Sequence, residues 1–265
     1  MNTLKSRQDI PGFSAVSWLG LAFLYAPIMI LILFSFNAGN MITVWGGFGT
    51  NWYHKALAND DLRRAALNSL IVACGAMVFA TLIALPAALA MHNGRRFRGA
   101  GAANILIALP LLVPEMVMAI ASLSFFTLIG LTLGIGNVMI AHIVFCIPFA
   151  YSPIRARLET IPAPLAEAAS DLYADPWQAF RRVTLPLLMP GIYSGAMLAF
   201  ITSLDDFIIT QMVAPPGAMT LPVYIYSMVR RGITPEINAI SSLLLVVSMV
   251  FVLASVLLNR KGYSR

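Results

Sequence analysis

Six long apolar runs dominate the chain, at about residues 16–36, 66–91, 104–129, 137–154, 187–213 and 238–259. A helix needs ~20 mostly apolar residues to cross ~30 Å of hydrocarbon. A backbone in lipid must also satisfy its own hydrogen bonds, which makes helices the default. The runs are too long and continuous for the alternating strands of a membrane barrel. The pattern predicts an all-α polytopic membrane protein with six transmembrane helices, built as one transmembrane domain over residues 1–265.

The polar segments between the runs set the orientation. Lys5, Arg7, Arg95, Arg96, Arg98, Arg155, Arg157, Arg181, Arg182, Arg260, Lys261 and Arg265 fall on one side, twelve in all. Lys55, Arg63, Arg64, Arg230 and Arg231, five in all, fall on the other. Positive charge collects on the cytoplasmic side, so both termini are expected inside. The first run is too long for the apolar core of a signal peptide and lacks a clear small-residue cleavage site, which predicts a retained span. The outer segments are not featureless. Residues 51–69 have apolar positions near helical spacing and suit the membrane surface. Residues 220–239 are amphipathic, with Pro222 and Pro235 as breaks.

Composition agrees with the pattern. Of 265 residues, 59% are hydrophobic and 11% charged, against about 25% charged in a soluble domain. Cys74 and Cys146 both lie in apolar runs, which argues against a disulfide framework. The net charge of +6 is distributed by side rather than clustered, so it is not a nucleic-acid signal.

Three acids interrupt the spans: Glu115, Asp205 and Asp206, the last two in "ITSLDDFIIT". No Lys or Arg lies in any span. A charge near the bilayer centre costs at least ~2.5 kcal/mol, so each acid is a candidate functional residue. The counter-charge must come from a proton, a partner subunit or a cationic solute. At ~1.5 Å per residue, Glu115 lies ~17 Å and Asp205 ~27 Å into their spans. Neighbouring helical residues point ~100° apart, so Asp205 and Asp206 cannot both face one pathway. One can line it while the other caps a helix break or bonds a partner. The alternative is that both are protonated or satisfied locally by Thr202, Ser203 or Thr210. Glu115 follows Pro114, and it can equally answer the backbone N–H groups that this proline frees. His142 reads as an interhelical hydrogen-bonding contact rather than a proton relay.

Residues 155–186 form the one long polar interruption on the cytoplasmic side. Pro164 suits the start of a short helix, "PLAEAASDLY". Asp175 followed by Pro176 is an N-cap with proline at the first helical position, opening "PWQAFRRV", which Leu185 and Pro186 would end. Trp177 and Phe180 share a face of it. That face either fills a partner's groove or packs back on the chain's own helices.

The segment "EAASDLYADPWQAFRRVTLPLLMP" (167–190) resembles the EAA loop of ABC importer permeases. Glu167, Ala168, Ala169, Ala174, Phe180, Leu185, Pro186 and Pro190 match, while Tyr173 stands where the family carries a glycine. "LNSLIVA" (67–73) also agrees. "PLLVPEM" (110–116), "SLDDF" (203–207) and "TLPVYIYSMVRRGITPEINAIS" (220–241) resemble the second permease subunit of polyamine importers of the spermidine and putrescine type. The resemblance covers nearly the whole chain. It implies a type I importer permease in a bacterial inner membrane, forming half of a pathway with a second, different permease. Two ATPase subunits would dock on Glu167, Ala168, Ala169, Tyr173, Ala174, Trp177 and Phe180, and a periplasmic binding protein would deliver the solute. A glycine at that position would suit a left-handed turn between the two short helices; with Tyr173 there, either the turn differs or partner contacts select it.

No phosphate-binding G-x-x-x-x-G-K-[ST] motif occurs in the sequence. Energy must then come from another polypeptide or from no nucleotide at all; the resemblance implies ATP and Mg on the partner ATPase, with no cofactor, metal or catalytic residue in this chain. Glu115, Asp205 and Asp206 are the expected pathway residues, suited to holding an ammonium group weakly and releasing it. Three other readings compete: the same transporter family carrying an opine, an amino-acid derivative or another cation; a self-sufficient secondary carrier relaying protons through the acids; and an intramembrane aspartyl hydrolase. The missing inverted repeat argues against the carrier, and no further motif supports the hydrolase.

Overall fold

In the computed structural model, the described residues are 13–92, 99–162, 165, 171, 173–232, 234–246 and 249. They are almost entirely helical: α1 (Phe13–Ser35), α2 (Asn51–Leu57), α3 (Asp60–His92), α4 (Ala100–Leu112), α5 (Glu115–Leu128), α6 (Ile135–Glu159), α7 (Pro176–Asp205), α8 (Ile208–Val213), α9 (Leu221–Arg231) and α10 (Pro235–Val246). Four helices, α1, α3, α6 and α7, are long and apolar enough to cross a membrane. The bent pair α4–α5 makes up to a fifth.

The chain divides into two compact units, Met1–Asp60 with Ser227–Leu257, and Asp61–Tyr226 with Leu258–Arg265. In the first, residues 14–30 of α1 are all exposed within the chain, so these side chains need lipid or another subunit around them. Beyond α1 the chain turns on Asn37, which is fully buried. Its amide donates to the carbonyls of Met41 (3.0 Å) and Val44 (2.8 Å), and its oxygen accepts from Gly39 N (3.0 Å) and Gly46 N (2.7 Å). All its hydrogen-bonding groups are used, so one side chain holds the loop. Phe36 stacks on Phe48 at 5.4 Å beside it. Residues 51–69, expected along the membrane surface, form the short helix α2 and the early start of α3. Buried Glu236, at the start of α10, pairs with Lys55 (3.5 Å) and accepts from Asn59 (3.2 Å).

In the second unit, packing relies on small residues. Along α3, Ala65, Ser69, Ala73, Ala76, Ala80, Ala84 and Ala88 are buried, while Leu67, Ile71, Phe79 and Leu82 are exposed. This inverts the soluble pattern. Between helices in lipid there is little hydrophobic drive, and close backbone approach replaces it. On α7, Gly191, Gly195 and Ala199 repeat every four residues, all buried. A Cβ at Gly195 would run into the Ala150 carbonyl of α6, so only glycine permits this contact.

Three expected elements differ. The run 104–129 is two helices bent by 110°. Val113 is extended ahead of Pro114, as steric crowding by a following proline favours. The run 187–213 stops at Asp205 and resumes at Ile208. Leu185 and Pro186 do not end the preceding helix, because α7 runs unbroken from Pro176. Its Phe180–Thr184 stretch is a π turn. In a regular α-helix Pro186 would clash with the Arg182 carbonyl, and the extra residue of the π turn takes up that mismatch. The helix expected from Pro164 lies largely outside the described residues, as does the second half of the run 238–259.

Candidate functional site

The adjacent acids of "SLDDF" have opposite surroundings. Asp205 is the last residue of α7 and is exposed. Asp206 has extended backbone (φ −63°, ψ 131°) in the break before α8, and it is 5% exposed. Its Oδ1 accepts from Ile209 N (3.3 Å), and its Oδ2 accepts from Thr210 N (3.0 Å) and from the Thr210 hydroxyl (3.1 Å). Asp206 thus caps α8 by satisfying N–H groups that have no partner within the helix.

His142, from the first half of α6, completes the arrangement. Its Nε2 lies 3.1 Å from Asp206 Oδ2 and 3.0 Å from Thr210 Oγ1, and its Nδ1 lies 2.8 Å from Ser203 Oγ. The side chains of His142 and Asp206 are both fully buried. A neutral imidazole with its proton on Nε2 satisfies these contacts together. Thr210 gives its hydroxyl proton to Asp206, and Nε2–H is shared between Asp206 Oδ2 and the Thr210 oxygen. Ser203 donates to Nδ1. Every polar group in the cluster is then satisfied. Sequence reading treated His142 as an isolated interhelical contact. Thr210 and Ser203 are among the local partners expected for the acids, but His142 is 61 residues from Ser203, and nothing in the sequence joins them.

Glu115 opens α5 directly after Pro114 and is half-buried. Its carboxyl reaches toward Asp206 and lies within electrostatic range of Asp205. The structure therefore gathers all three span acids around the two helix breaks. Beside them Phe207 packs against Tyr226 of α9, with ring centroids 4.7 Å apart.

Of the docking residues, Glu167, Ala168 and Ala169 lie outside the described residues. Tyr173 has φ +60°, so the left-handed turn forms there even with tyrosine in place of glycine, and the residue is 99% exposed. Ala174 is half-buried and leads into Asp175, whose carboxylate accepts from Gln178 N (2.8 Å) and caps α7. The Trp177 and Phe180 rings lie against each other at 5.7 Å, tilted by 33°, and Trp177 is 65% exposed. The aromatic pair therefore stands on the first turns of the helix that ends at Asp205. A non-glycine residue in a left-handed turn costs ~1 kcal/mol. Tyr173→Gly should accordingly leave the loop unchanged or slightly firmer, with normal recovery of a co-expressed ATPase. A clear loss of recovery would instead show the exposed ring to be a partner contact.

The sequence matches the family described as "Binding-protein-dependent transport system inner membrane component" over residues 80–261. The chain belongs to this family. It is 41% identical over 239 residues to the spermidine/putrescine transport system permease protein PotC of Escherichia coli (strain K12), covering 90% of both chains. It is 38% identical over 233 residues to the putrescine transport system permease protein PotI of the same strain, covering 86% of this chain and 83% of that one. Among solved structures, a bacterial ABC transporter involved in the import of the acidic polysaccharide alginate aligns with a TM-score of 0.70 at 19% identity, over 98% of this chain and 99% of that one. The MetNI methionine ABC transporter aligns with a TM-score of 0.65 at 20% identity, over 76% of this chain and 95% of that one. Both share the fold. The region matching the transport family contains Glu115, His142, the Tyr173 turn, the aromatic pair and both acids of the break.

Proposed function

We propose that this chain is a membrane subunit of an ATP-driven, binding-protein-dependent importer for polyamines of the putrescine and spermidine type. The similarity to PotC across nine-tenths of both chains carries the reading. The chain forms half of the pathway with a second, different permease. It crosses a bacterial inner membrane six times with both termini in the cytoplasm. A periplasmic binding protein delivers solute, and two ATPase subunits dock on the segment that contains Trp177 and Phe180. ATP and Mg act on those subunits, and this chain carries no catalytic residue.

The chemistry of the site supports this cargo. A polyamine carries two or more ammonium groups along a flexible apolar stem. Glu115 and Asp205 offer sparse negative charge in an otherwise apolar domain, enough to attract each ammonium without trapping the whole molecule. Asp206 is committed to the helix break, so its part in the pathway is indirect. The test is uptake of labelled putrescine and spermidine by proteoliposomes containing the complete complex and its binding protein. Uptake should require enclosed ATP and survive a proton uncoupler. Uptake that ignores ATP and collapses with the uncoupler would overturn the reading in favour of a secondary carrier. Uptake of neither polyamine, with another solute carried, would overturn the cargo.

A further inference from the structure

The break between α7 and α8 raises a problem that its location makes acute. Two helices end within an apolar domain, and the N–H groups at the start of α8 need acceptors. Asp206 supplies them, but a buried carboxylate is itself costly unless it is bonded on its remaining face. That face is met by the Thr210 hydroxyl and by His142. His142 also bonds Ser203, one turn before the break. One imidazole on α6 therefore grips the chain on both sides of the interruption. Asp205 lies between the two held residues, Ser203 and Asp206, so its backbone position is set by that grip.

We propose that His142 is a positioning residue. By holding Ser203 and Asp206 it fixes the turn that leaves Asp205 exposed. The proposal rests on the reading of Asp205 as a pathway carboxylate, but the positioning itself does not depend on the solute. The bond that matters is the one from Nε2, because it is the bond that keeps Asp206 in the break. The bond from Nδ1 secures the end of α7.

Side-chain length separates this role from simple packing. Gln at position 142 can place an N–H donor near the Nε2 position and so reach Asp206. Asn is shorter and reaches only as far as the Nδ1 position. Leu fills space with no donor. The position of residue 205 can be read directly in an Asp205→Cys variant, made with Cys74→Ala and Cys146→Ala, as the rate of its reaction with a cationic methanethiosulfonate in the purified complex. His142→Gln should label within about twofold of the parent. His142→Asn and His142→Leu should each shift the rate by at least about fivefold. With Asp205 restored, uptake should follow the same order.

Equal labelling in all variants would overturn the proposal, as would Gln grouping with Asn. If Leu prevents assembly, the comparison of Gln with Asn still decides. Labelling in the expected order, together with normal polyamine uptake by Asp205→Asn, would keep the positioning role and overturn the pathway role of Asp205. The two readings can thus fail separately.

Discussion

Replacing Trp177 and Phe180 together by Ala should strip the ATPase from the purified complex while leaving membrane insertion intact. The rings form a contiguous pair, and Trp177 is 65% exposed within the chain. An aromatic pair with an exposed Trp on a polar segment is the kind of anchor that fills a partner's groove, and truncating such an anchor costs about 2–4 kcal/mol. Each 1.4 kcal/mol is tenfold in affinity, so docking should weaken by at least about 30-fold. The helix itself should survive. Its Asp175 cap and Pro176 are untouched, and Ala is the best helix former. Co-purification of an affinity-tagged ATPase, measured against permease abundance in the membrane, checks both halves. Undiminished recovery and transport would remove these residues from the docking surface.

The expected effect reaches beyond docking because of α7. Trp177 and Asp205 are on one helix of 30 residues, Pro176–Asp205. A rod of that length is ~45 Å. Tilting its Trp177 end would move its other end, where the His142 cluster sits. The sequence hid this continuity. Leu185 and Pro186 carry a strong stop signal, and only the π turn at Phe180–Thr184 lets the helix pass through them. Such a turn has no composition of its own. Other features were open to reading. The bend at Pro114 follows from local sterics, the Asp175 cap from a two-residue motif, and the apolar runs from hydropathy. What could not be read was tertiary. The small-residue stripe of α3 shows that Ala80 and Ala84 can face a neighbour, but not which neighbour. His142 could be placed on a helix, but its three partners belong to segments more than sixty residues away. The division of labour between Asp205 and Asp206 was predictable as a difference, since adjacent positions diverge by ~100°. Only the geometry says which acid is which.

Asn at each of those two positions should fail in its own way. Asp205→Asn keeps size and removes charge at an exposed helix end, so the protein should insert and assemble normally. If Asp205 meets an ammonium group in transit, a loss of about 1.5–3 kcal/mol, the usual worth of a hydrogen bond to a charged group, should slow uptake by roughly 10- to 150-fold. The affinity of the isolated binding protein should not change. Asp206→Asn is different. Three of the contacts to Asp206 come from donors: Ile209 N, Thr210 N and the Thr210 hydroxyl. His142 Nε2 is a fourth at 3.1 Å. An amide has one oxygen to offer where the carboxylate had two, and its NH2 group would face another donor. A buried polar group left unsatisfied costs about 1–3 kcal/mol. Asp206→Asn should therefore reduce the folded, partner-bound fraction before it reduces turnover per assembled complex. Measuring uptake, membrane abundance and complex recovery together separates the two effects. Near-normal uptake by the double variant would end the case for this pair in the pathway. Equal loss of assembly in both single variants would show that Asp205, too, is a structural residue.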